Sequence, residues 1–166
     1  MFGGWDIKRI LSSDFFFYFT SLFISLCRTK NVFMAKKEEY KIKNQEFLKE
    51  ISAEEGVVTH PSGILYKVIN SGDGKVSPVD RSIVTVHYRG TLINGREFDN
   101  SWKRSCPEAL RLTDVIDGWR IALKLMHVGD RWMVYIPYEL GYGTRTSGPI
   151  PGFSTLVFEI ELLGIA

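Results

Sequence analysis

The sequence predicts an α+β fold, with an antiparallel sheet and one short helix in its main domain and a second helix ahead of it. Three observations lead there. Residues 57–166 break into short apolar segments punctuated by Gly, Pro, Asn and Asp. Only one stretch among them has helical apolar spacing, so no strand–helix–strand repetition calls for a parallel sheet. Residues 36–55 contain eleven Lys or Glu in twenty, the composition of a solvated helix and not of a core.

In chain order, residues 1–33 hold a basic pair, Lys8-Arg9, and an uncharged run at 15–27, FFFYFTSLFISLC. Thirteen residues are too few to cross a bilayer, which takes about 20. The run has some marks of a signal peptide, yet Asp14 interrupts its start, Arg28 and Lys30 follow it, and Ser25-Leu26-Cys27 is a poor cleavage site. Two readings stay open. Met34 begins MAKKEEYK, which reads as an ordinary cytosolic start and makes 1–33 an upstream extension or artefact, with a cytoplasmic location. Alternatively, residues 8–27 export or anchor the chain. Residues 35–56 form a charged amphipathic helix in which Tyr40, Phe47, Leu48 and Ile51 share one narrow face, and Gly56 supplies a stop. That face can dock on the following domain, pair with a second copy as a homodimer, or stay solvated.

Residues 57–166 form the main domain. Strands are expected at 63–70 (GILYKVIN), 83–88 (IVTVHY), 131–136 (RWMVYI) and 155–163 (TLVFEIELL), and Asn94-Gly95 marks a turn. Val84, Val86 and Tyr88 share a face. In the last strand Leu156, Phe158, Ile160 and Leu162 alternate with Val157, Glu159 and Glu161, giving a buried face and a wet one. The helical stretch is 119–126.

Charge and composition narrow the function. Residues 1–56 carry 9 basic and 8 acidic residues and 57–166 carry 12 and 11, so no basic surface points to nucleic acid. Two cysteines, Cys27 and Cys106, are too few for a disulfide framework, and His60, His87 and His127 have no metal-ligand spacing, so neither a metal nor a cofactor is expected. No GxSxG, phosphate-loop or paired-carboxylate pattern is present. His87 and Cys106 read as incidental, and His127 as a helix-end residue.

Four runs carry more specific information: 84–101 (VTVHYRGTLINGREFDNS), 115–119 (VIDGW), 136–143 (IPYELGYG) and 148–165 (GPIPGFSTLVFEIELLGI). In this order and spacing, across about 63–165, they resemble the FK506-binding (FKBP) family of peptidyl-prolyl cis-trans isomerases. The resemblance implies a twisted antiparallel sheet wrapped around the short helix, with a hydrophobic pocket between them. Carried over residue by residue, the catalytic set is Tyr88, Phe98, Asp99, Trp119, Tyr142 and Phe158, with Trp119 as pocket floor. Val115, Ile116, Ile150 and Leu110 complete the substrate-binding walls. It also implies a backbone N–H near Ile150 that donates to the carbonyl preceding proline, a Tyr142 hydroxyl donor, and Asp99 as a polar orienter without proton transfer. The implied partners are proline-containing polypeptides and macrolides of the FK506 or rapamycin type. A non-catalytic peptide-binding module or holdase chaperone using the same pocket is the alternative.

The residues themselves agree with that cluster. Tyr88 and Phe158 lie on apolar strand faces, while Phe98, Trp119 and Tyr142 adjoin glycine-bearing turns where side chains can line a concavity. Asp99 reads as a lone carboxylate beside an aromatic ring, in a place for a buried hydrogen-bond acceptor. Departures from the family pattern fall at Leu110, where an aromatic is common, and in 143–151, which is about one residue short and ends Pro151-Gly152 in place of a Pro-Pro pair.

Overall fold

The structure, a computed structural model, describes residues 13–166, with side chains from Met34 onward and that of Val32. Helix α1 (Ser13–Ser52) precedes strands β1 (Val57–Thr59), β2 (Leu65–Asn70), β3 (Ile83–Leu92), β4 (Glu97–Asn100) and β5 (Glu108–Arg111). Helix α2 (Asp117–Leu125) and strands β6 (Arg131–Ile136) and β7 (Leu156–Ile165) complete the chain. The described residues divide into two units, one ending at Glu39 and the other Tyr40–Ala166, the second holding the sheet, α2 and the last part of α1.

Every strand pairing is antiparallel, in the order β1-β2-β6-β7-β3-β4, and β5 pairs with β3 as well. β7 takes one side of β3 along its whole length, so β4 and β5 share the other side end to end. The predicted turn joins β3 to β4: Gly95 adopts φ +78 and Asn94 Oδ1 accepts the Arg96 N–H at 3.0 Å. One sheet face is formed by alternate residues, including Val84, Val86 and Tyr88 of β3, Val134 and Ile136 of β6, and Phe158, Ile160 and Leu162 of β7. Against it lie Trp119, Ala122 and Leu123 of α2, followed by Met126, all buried. Gly118 lets the first helical turn approach, since a Cβ there would stand 2.4 Å from Ile136 Cγ2.

The expectation for 119–126 is thus corrected at its start. The apolar spacing begins at Trp119, but the helix begins at Asp117, after extended Ile116 (φ −60, ψ 151), with the Asp117 carboxylate in the first turn, where a negative charge suits the helix dipole. The helix expected over 35–56 likewise runs Ser13–Ser52, and Gly56 (φ +81) sits in the turn that leads into β1. Strands β1, β4 and β5, three or four residues each, show too little alternation to be read from spacing.

The second face of the last strand is not simply wet. Phe47, Leu48 and Ile51 of α1 pack against Leu65, Met133, Tyr135 and Val157, so the predicted apolar stripe of that helix docks on the chain's own sheet. Burying such a side chain contributes about 1.5–3 kcal/mol, enough to hold a helical segment that its charge would leave in solvent. Beyond the helix, Glu159 is paired with Arg89 and Arg131, and its side chain is 12% exposed. Lys8-Arg9 and the side chains of the run 15–27 lie outside the described residues. Among the described residues no helix is long and apolar enough to cross a membrane.

Candidate active site

The first turn of α2 points Trp119 at the sheet, where the indole is 4% exposed. Its ring meets Tyr88 edge-on (centroids 5.0 Å apart, planes at 87°) and Phe158 likewise (5.2 Å, 86°). Phe158 in turn meets Phe98 at 5.6 Å and 88°. Edge-to-face pairs of this kind are favourable beyond their area, so each ring holds its neighbour's orientation. Gly90, opposite Phe158 in the β3–β7 register, makes room: a Cβ there would lie 2.5 Å from Phe98 Cε2 and 2.8 Å from Phe158 Cε1.

These rings border a cavity of about 440 Å³. All ten residues named from the sequence line it, namely Tyr88, Phe98, Asp99, Leu110, Val115, Ile116, Trp119, Tyr142, Ile150 and Phe158. Glu108, Asp114 and Ser147, Gly148 and Pro149 line it too. Tyr142 stands at the mouth, 43% exposed, its hydroxyl pushed above the usual tyrosine range by burial and then by the Asp99 charge.

Two expectations about polar groups are corrected. The Ile150 N–H donates to the Ser147 carbonyl (3.0 Å) while Ser147 N–H donates to Ile150 O (2.9 Å), so this amide is engaged within its own loop. The N–H of Ile116, another cavity-lining residue just before α2, has no backbone acceptor among the described residues. That amide was not foreseen, because a backbone donor has no sequence signature.

Asp99 is also not a lone carboxylate. The Tyr88 hydroxyl donates to Asp99 Oδ2, Arg104 donates to Asp99 Oδ1 and to Glu108, and the Asn100 N–H reaches Asp99 Oδ1 at 2.8 Å. Burial raises the Asp99 carboxyl, but the hydrogen bonds from Tyr88 and Arg104 outweigh it and hold the group below the usual carboxylate range. Burial, then the bond to Asp99, pushes Tyr88 up, so its hydroxyl stays a donor at neutral pH. Arg104 and Glu108 were missed in the sequence. Their four-residue spacing was the available signal, but in a loop that spacing has no fixed geometry.

His87 lies outside the cavity, stacked on Trp102 (5.4 Å, 17°) with Nδ1 2.9 Å from Ser101 Oγ. Cys106 is exposed. Among the described residues no three His, Cys, Asp or Glu side chains converge as a metal set would.

An aromatic cavity between a short helix and an antiparallel sheet, with a polar network on one rim, marks a class of protein built around an apolar pocket edged by hydrogen-bonding groups. Comparison with known proteins says which. The family model described as FKBP-type peptidyl-prolyl cis-trans isomerase matches residues 74–163, and the domain amino-terminal to that isomerase matches residues 23–68. The chain belongs to the FKBP-type peptidyl-prolyl cis-trans isomerase family.

It is 46% identical over 129 residues to the FKBP-type isomerase FkpA of Buchnera aphidicola, covering 78% of this chain and 53% of that protein. To the FKBP-type 22 kDa isomerase of Escherichia coli it is 48% identical over 121 residues, covering 72% and 58%. The crystal structure of FkpA from Escherichia coli superposes with a TM-score of 0.76 at 38% identity, covering 93% of this chain and 73% of that one. A peptidyl-prolyl isomerase from Pseudomonas syringae gives 0.72 at 35%, covering 78% and 95%. The chain spans little more than half the length of the curated relatives it matches.

Proposed function

We propose that this chain accelerates rotation about the peptide bond preceding proline in polypeptides. The observation that carries the reading is the chain of edge-on ring contacts from Tyr88 through Trp119 and Phe158 to Phe98 beside a cavity of about 440 Å³, room for a proline ring together with the residues that flank it.

Rotation faces a barrier of about 18–20 kcal/mol, because amide resonance is lost on the way. Cis and trans X-Pro forms are close in energy, yet they exchange over tens to hundreds of seconds. The twisted imide carries less charge separation than the planar one, so an apolar cavity that excludes water favours the transition state over the ground state. Nothing in that step needs a nucleophile or a proton transfer. In this reading the Ile116 N–H, which has no backbone acceptor, and the Tyr142 hydroxyl orient the carbonyls flanking the bond, and their residues both line the cavity. Asp99, ionised and held by Tyr88 and Arg104, orients the rim and transfers no proton.

A protease-coupled assay on a short X-Pro peptide tests the reading. Acceleration that is inhibited by FK506 or rapamycin is expected, which also tests the macrolide partnership; no acceleration at micromolar protein overturns the isomerase assignment. The homodimer through the 35–56 helix belongs to the same proposal, by way of exposed residues there such as Ile42, because Phe47, Leu48 and Ile51 already meet the sheet. A clean monomer in sedimentation equilibrium sinks it. A start at Met34, with the cytoplasmic location it implies, is tested by mass spectrometry of the native N-terminus; a terminus within 1–33 overturns it.

A further inference from the structure

Asn is a poor residue for a helix interior, and a polar side chain is costly in a core unless its hydrogen bonds are met. Asn44 goes against the first preference and meets the condition of the second. It lies within α1 and is 0% exposed. Its Nδ2 donates to Tyr40 O at 2.8 Å, and its Oδ1 accepts the Thr155 N–H at 2.7 Å. Thr155 Oγ1 also lies 3.3 Å from the Asn44 carbonyl. A leucine stripe would dock a helix without this expense, so the residue answers to something other than burial.

Its neighbours on the helix hold the same place. The Tyr40 hydroxyl lies 2.8 Å from Ser154 Oγ, which in turn bonds the Pro151 carbonyl at 2.7 Å. Lys41 Nζ stands 5.7 Å from the centre of the Phe153 ring. Tyr40, Lys41 and Asn44 thus grip three consecutive residues, Phe153, Ser154 and Thr155. Phe153 adopts φ +65, a left-handed conformation uncommon for an aromatic residue, which the surroundings must enforce. Its N–H donates to the Gly143 carbonyl at 2.9 Å, closing the stem of a loop. That loop carries Ser147, Gly148, Pro149 and Ile150, and Tyr142 precedes Gly143 directly.

The geometry points to Asn44 as a positioning residue through which α1 sets the rim of the proline cavity. It touches nothing in the cavity. It fixes Thr155, and through the 143–153 stem the places of Tyr142 and Ile150. The helix is therefore part of the apparatus that shapes the site as well as an appendage on the far face of the sheet. The kinetic arm of the test rests on the isomerase reading above; the exchange arm does not.

The experiment compares full-length chain, Asn44→Ala and Ile51→Ala, the last removing apolar docking between α1 and Leu65 and Tyr135 at a distance from the loop. Amide hydrogen exchange over 142–155, kcat and KM on an X-Pro peptide, and Tm are read for each. Asn44→Ala is expected to speed exchange at Thr155 and through the loop, and to lower kcat/KM about tenfold, as loss of placement does. Ile51→Ala is expected to lower Tm with loop exchange and kcat/KM within about twofold of the unmodified chain. The proposal is overturned if Asn44→Ala leaves loop exchange unchanged, or if Ile51→Ala matches its kinetic loss. If Asn44→Ala does not fold, Tyr40→Phe, which removes only the hydroxyl facing Ser154, is read by the same criteria. An unmodified chain without isomerase activity overturns the function proposed above, while loop exchange still decides the clamp.

Discussion

Asp99 holds its charge at the edge of an apolar cavity because three donors surround it, the Tyr88 hydroxyl, the Arg104 guanidinium and the Asn100 amide. Its folded-state pKa is depressed, so the stability it contributes is fully present above the ordinary carboxylate value of about 4 and is lost as pH falls through the folded value. Arg104→Met should raise the Asp99 midpoint toward the ordinary value and shrink the acid-side loss of stability; carbonyl NMR titration of both proteins measures it, and an unmoved midpoint contradicts the account. Tyr88 runs the other way. Its pKa is raised, so its contribution is complete below about pH 10 and declines as pH climbs beyond that. Trp119 poses a different question, since its buried Nε1–H has no acceptor among the described residues. Trp119→Phe keeps a ring against Tyr88 and Phe158 and forfeits no hydrogen bond, whereas Trp119→Ala should cost about 3–5 kcal/mol. Urea denaturation of the two variants should show the Phe substitution costing less than half of the Ala one.

For the elements, α2 offers the clearest contest of effects. Replacing a helical glycine by alanine ordinarily gains about 1 kcal/mol in helix propensity. At Gly118 the new Cβ would stand 2.4 Å from Ile136 Cγ2 and 2.8 Å from Cδ1, so the helix must lift from β6. Overpacking of this kind costs about 1–3 kcal/mol, and Gly118→Ala should therefore destabilise, as a lower urea midpoint will report. The longer elements were legible because their side chains alternate or recur against a dry face: Val84, Val86 and Tyr88 in β3, and Leu156 to Leu162 in β7. β4 and β5 were not, since all four residues of β4 are half-buried and β5 alternates half-buried and exposed residues over only four positions. The ring set of the site was legible through its motifs. The Arg104 link, the Ile116 amide and the engaged Ile150 amide were not, because each depends on where a loop carries a backbone or a flexible side chain. Asn44 was invisible for a related reason: its partner Thr155 lies 111 residues away.

At the level of the whole molecule, the sheet is covered on both faces, by α2 on one and by the last turns of α1 on the other. Residues 57–166 expressed alone would expose Leu65, Tyr135, Met133 and Val157 to water. Such a fragment should unfold at a clearly lower temperature than the full chain in calorimetry, and equal melting would show that the docked helix contributes nothing to stability.

The way β3 is flanked has a consequence for how the protein keeps company with others. On that border the sheet ends in β4 and β5, four residues apiece, separated by the 101–107 loop, and on the opposite border β1 runs for three. Unpaired strand borders are where an extended foreign chain adds on by main-chain hydrogen bonds, and long flat ones seed aggregation. Neither border here offers a row long enough to template that pairing. Under the function proposed above, a partly folded polypeptide presenting its proline to the cavity would meet strand borders too short to hold the rest of it.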